Sequence, residues 1–132
     1  MKRVIVESPL SGDFTRNQFY ARLCMLDCLR RGEAPFASHL LYAHSDVLDD
    51  TKSEERTLGM EAGFAWHEGA NLAAVYLDLG YSSGMKMGVK RIREIGRPVE
   101  PRRLPEALWA RFVARYPYAV VADVNMDEVD CG

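Results

Sequence analysis

The chain has 132 residues, 48% of them hydrophobic and 27% charged, with a formal net charge of −2 at neutral pH. That length suits one domain spanning residues 1–132, the composition excludes a disordered chain, and the charge gives no general attraction to nucleic acid polymers or anionic membranes. A core of this size needs no disulfide or metal staple, and no apolar run reaches the length of a membrane span.

In chain order, Arg3–Glu7 is short and β-branched and is bounded by Ser8-Pro9 and Gly12, which predicts a buried first strand ending in a turn. A long helix follows. Thr15 and Gln18 have capping-box spacing, Asp13 is an equally good N-cap, and Phe19, Leu23, Leu26 and Leu29 recur at helical spacing up to Gly32. Ala34–Tyr42 reads as a second strand or an extended segment behind Pro35. An Asp-rich loop then leads to a helix from about Thr51 to Gly69, with Leu58, Ala62 and Ala65 as its apolar stripe. Leu72–Leu77 is apolar at nearly every position, as a strand covered on both faces should be, and it ends at Asp78.

Leu79–Gly84 is a Gly/Ser loop feeding a helix marked by Met85, Val89, Ile92 and Ile95 and stopped by Gly96. Pro98-Val99-Glu100 is a short strand. Leu104, Leu108 and Phe112 mark a fourth helix with Pro105 in its first turn, Ala119–Val124 reads as a final strand, and the acidic tail frays. Lys86, Lys90, Arg91, Arg93, Arg97, Arg102 and Arg103 read as a solvated helix face and a polar loop. Alternating strands and helices predict an α/β fold with a central, mainly parallel sheet, whose ligands bind beyond the carboxyl ends of the strands where their order reverses.

Two loops are placed to carry chemistry. Glu7–Gly12 and Asp78–Met85 each follow a buried strand and bring small residues and hydroxyls to a helix N-terminus, where free backbone N–H groups favour an anion. Gly and Ser also serve such loops as ordinary turn and cap residues. Asp78 is placed to hold ligand hydroxyls or to cap the next turn, and Tyr81 to stack on a base. His39, His44 and Asp46 fit no common metal-ligand spacing, so no metal is expected. Cys24, Cys28 and Cys131 read as reduced thiols, the first two as small buried hydrophobes on a helix face, in a cytoplasmic protein.

The segments VIVESPLSG, GEAPFASHLLY, ERTLGMEAGFAW and VYLDLGYSSGMKMGVKRIREIGRPVE span most of residues 3–100. In them the chain resembles the nucleoside 2-deoxyribosyltransferase-like superfamily. The resemblance implies a flavodoxin-like three-layer sandwich, a homodimer or larger assembly, and a nucleoside or nucleotide ligand whose N-glycosidic bond is hydrolysed or exchanged without a cofactor. It further implies that Ser8, Ser11 and Gly12 help hold the ligand, that Asp78 contacts the sugar, and that Ser82, before Gly84, binds phosphate. The superfamily's catalytic Glu falls four positions after that Gly, where this chain has Gly88. Glu61, Glu7 and Glu68 are the candidate substitutes, with Asp78 and Glu61 the first choices for catalysis. The alternative is a non-catalytic module that binds or sequesters a nucleotide; a third reading is an interaction protein with no small ligand.

Overall fold

A computed structural model describes residues 1–131, apart from the side chains of Asp130 and Cys131. The expectation for the Cys131 thiol therefore lies outside the described residues. Four strands, β1 (Arg3–Glu7), β2 (Ala34–Phe36), β3 (Leu72–Tyr76) and β4 (Val99–Arg102), form one parallel sheet in the order β2-β1-β3-β4. The helices are α1 (Phe14–Arg30), α2 (Ser38–Leu41), α3 (Ser53–Ala65), α4 (Ser83–Glu94), α5 (Glu106–Arg115) and α6 (Met126–Cys131). A 3-10 turn, His67–Gly69, lies between α3 and β3.

The layering follows from alternation along the strands. Val4, Val6, Leu72, Ala74 and Tyr76 pack against Tyr20, Leu23, Cys24 and Cys28 of α1 and Leu108 and Phe112 of α5. On the opposite face, Ile5 and Ala73 meet Ile92, while Val75 and Leu77 meet Met85 and Val89, all three helical residues coming from α4. This is the three-layer, flavodoxin-like α/β arrangement. β1 pairs with β2 on one side and β3 on the other, so the strand order reverses at β1 and the loops after β1 and β3 emerge together. Among the described residues, no helix is long and apolar enough to cross a membrane.

Of the two expected caps, Asp13 is the one that caps α1, accepting from the Arg16 N–H at 3.1 Å. Several other expectations change. The Ala34–Tyr42 segment divides into a three-residue strand and the short helix α2, which carries His39. In α3, Leu58 is 59% exposed and Ala65 is also exposed; the helix stands off the sheet and turns Met60, Gly63 and Phe64 toward a cavity. Arg102 is buried in β4 rather than solvated in a loop, with its guanidinium paired to both Glu33 oxygens at 2.8 and 2.7 Å. That pairing holds the Glu33 carboxyl below its ordinary pKa.

Ala119–Val124 is not a strand, and the chain after it forms a short helix, α6. Arg103 fastens the segment through the carbonyls of Ala122 and Val124, and the chain then turns into α6. Val129 is fully buried beside Leu77, Met85 and Val89, and the Arg93 guanidinium donates to its carbonyl. Val129→Ala is expected to cost about 1–3 kcal/mol in urea unfolding, whereas a frayed tail would give no change.

Candidate functional site

The loops after β1 and β3 converge on an open cavity of about 160 Å³. The first supplies Glu7, Ser8, Leu10 and Ser11; the second, with the start of α4, supplies Ser82, Ser83, Gly84 and Met85. Its remaining wall comes from Phe36, from α2 through Ser38 and His39, and from α3 through Arg56, Met60, Gly63 and Phe64. Gly63 permits that closure, since a Cβ there would come within 2.8 Å of the Ser38 side chain. A smaller recess of about 60 Å³ shares Leu10, Ser38, His39, Asp50, Arg56 and Met60 with the cavity.

Hydrogen bonds fix the first turn. The Asn17 amide of α1 donates to the carbonyls of Leu10 and Ser11 at 3.1 and 2.9 Å. Gly12, at φ +97°, takes the left-handed conformation that bends the chain into α1. Ser8 is buried, with its hydroxyl 2.8 Å from His39 Nε2. Desolvation depresses the His39 pKa from 6.5 to about 4, so the ring is neutral at pH 7. Arg56 donates to Ser11 Oγ at 3.1 Å and is the only lysine or arginine among the residues lining the cavity. In the second turn Ser82 caps α4, accepting from the Met85 N–H at 3.3 Å.

Glu7 reaches into this cavity from the end of β1. Its carboxyl lies against Gly88 of α4: a Cβ built on Gly88 would overlap it, lying only 2.7 Å from Oε1. Desolvation raises the Glu7 pKa from 4.5 to about 8. A side chain of any size at position 88 would exclude the carboxyl from this volume.

Of the residues singled out from sequence, Glu7, Ser8, Ser11, Ser82 and Gly84 line the cavity together. Asp78, Glu61, Glu68, Tyr81 and Gly12 lie elsewhere. Asp78 is 2% exposed, and its Oδ2 accepts from the Tyr20 hydroxyl at 2.6 Å and the Leu104 N–H at 2.9 Å. Glu61 is exposed and paired with Arg91 at 2.9 Å, and Glu68 is exposed with its carbonyl bonded to Arg97. Tyr81 borders a surface hollow with Lys86 and Lys90, and Gly12 borders one with Ser11 and Arg56. Sequence reasoning did not single out Arg56, Phe64 or Met60, because the α3 stripe that it selected faces solvent.

Residues 2–102 match the family described as "Domain of unknown function (DUF7768)", a stretch that includes all four strands and both turns. The chain belongs to this family. No curated protein matches it. Among solved structures it is similar to a 2-deoxyribosyltransferase from the psychrotolerant bacterium Bacillus psychrosaccharolyticus, with TM-score 0.55 and 14% identity over 76% of this chain and 72% of that one. At that identity the likeness is one of fold.

Proposed function

We propose that the chain binds a nucleoside or nucleotide in the cavity between its two serine turns and cleaves or exchanges the N-glycosidic bond. The observation that carries this reading is the meeting of both turns on one cavity at the point where strand order reverses. The distant likeness to a deoxyribosyltransferase supports the nucleoside class. Ser8, Ser11, Ser82 and Gly84 are the proposed ligand contacts, with neutral hydroxyl and backbone donors suited to an oxyanion. Arg56 supplies the positive charge for a 5′-phosphate, and Phe64 and Met60 supply apolar surface for a base.

The test uses a panel of nucleosides and their 5′-monophosphates, with chromatography for free base and thermal unfolding for binding. A monophosphate is expected to raise the melting temperature more than its nucleoside does, and free base is expected to accumulate. Arg56→Ala is expected to weaken monophosphate binding roughly 10–100-fold and leave nucleoside binding little changed. Stabilisation without base release would leave a binding or sequestering module; no stabilisation by any member of the panel would remove the nucleotide reading.

A further inference from the structure

We propose that Glu7 is the general acid of this cavity, delivered from the end of β1 into the volume that Gly88 leaves open on α4. The proposal rests on the N-glycosidic reading above and names the residue that performs it. Three observations combine. Glu7 lines the same cavity as the four serine-turn contacts. It lies against helix backbone that any side chain at position 88 would cover, since a Cβ there would be 2.7 Å from Oε1. And the strand register places Glu7 beside Val75 on the central pair of strands, so rigid sheet rather than a loop aims it.

The groups around it leave it protonated. The cavity holds His39 from α2, Asp50 from the loop before α3, Arg56 from α3 and His67 from the 3-10 turn, and Tyr81 stands near enough to feel its charge. Burial dominates over all of them and keeps the proton on Glu7 up to about pH 8. A neutral carboxylic acid at pH 7 is what departure of a nucleobase requires.

In the step proposed, the C1′–N bond breaks, its electron pair leaves with the base, and the Glu7 proton passes to a base nitrogen. A water oxygen then adds to C1′ and gives its proton to the Glu7 carboxylate, which restores the acid. One water is consumed, one base and one free sugar or sugar phosphate are formed, and nothing is oxidised or reduced. In a transfer reaction, a second base takes the place of that water and gives up its own proton.

The experiment measures base release from the nucleoside 5′-monophosphate panel, and binding of the same compounds, for the native chain, Glu7→Gln and Gly88→Ala. Glu7→Gln is expected to lower kcat roughly 10²–10⁴-fold with monophosphate affinity retained. Gly88→Ala is expected to push the carboxyl aside and lower kcat in the same direction, even if the Gln variant folds poorly. The native rate is expected to fall as pH rises through about 8. A Glu7→Gln enzyme at full rate would overturn the assignment and leave the glycosidic reading standing. A rate that climbs through that pH would also overturn it, because the carboxylate rather than the acid would then be the working form. Binding with no base release by the native chain would end the reaction and the acid role together.

Discussion

Replacing Asp78 by alanine is expected to lower the free energy of unfolding by about 3–5 kcal/mol. The carboxylate takes two buried donors at once, the Tyr20 hydroxyl at 2.6 Å and the Leu104 N–H at 2.9 Å. The Asp78 N–H donates back to the Tyr20 oxygen at 3.0 Å, so the end of β3, the middle of α1 and the approach to α5 are joined through one side chain. Alanine would leave both donors buried without acceptors, and each such group costs about 1–3 kcal/mol. Burial first, and the neighbouring Cys24 and Asp78 after it, raise the Tyr20 pKa well above its ordinary value, so the phenol stays a donor. Urea unfolding of Asp78→Ala and Tyr20→Phe measures this junction. A variant at position 78 of native stability that no longer bound a nucleotide would return Asp78 to the cavity.

Glu7→Gln is expected to make the protein more stable at alkaline pH while it removes function. For a carboxyl whose pKa is raised on folding from 4.5 to about 8, the unfolded chain releases its proton first. The associated stability is therefore complete below pH 4.5 and declines until the folded group has titrated near pH 8. Such a shift corresponds to at most about 5 kcal/mol, and with water in the open cavity about 2 kcal/mol is expected. His39 works in the opposite direction, since its depressed pKa withdraws stability as pH falls from 6.5 toward 4. The window free of that opposition runs from pH 6.5 to about 8. Across it the native chain should lose stability and Glu7→Gln should not; parallel curves would mean that Glu7 is solvated and ordinary.

The elements that sequence reading placed well are those with strong local signals. β1 and β3 are apolar runs ended by turn residues, α4 has a serine cap and a clear apolar face, and β1 and α4 border the cavity. The misread parts depend on partners distant in sequence. The α3 stripe has the right period, yet what it should face is decided by α2, which a run of Ser, His and Leu does not announce as a helix. Ala119–Val124 has strand composition but joins neither outer strand of the sheet, and Arg103 fastens it instead.

The directions of the two central carboxylates were nevertheless readable in principle. Glu7 lies two residues beyond Ile5, so alternation sends it to the face covered by α4. Asp78 lies two residues beyond Tyr76, whose face is covered by α1, and there it meets Tyr20. What no local pattern reveals is that position 88, the sixth residue of α4 and lacking a side chain, stands opposite the last residue of β1. That is a contact between residues 81 positions apart.

Both outermost strands of the sheet contain a proline: Pro35 in β2, in register with Val4, and Pro101 in β4, in register with Val75. A residue without an amide hydrogen cannot continue a ladder outward, and these rims are only three and four residues long. Two copies of the chain are thus discouraged from joining their sheets into a longer ribbon. Lengthening either rim, or exchanging its proline for valine, is expected to raise the tendency to aggregate, read by light scattering.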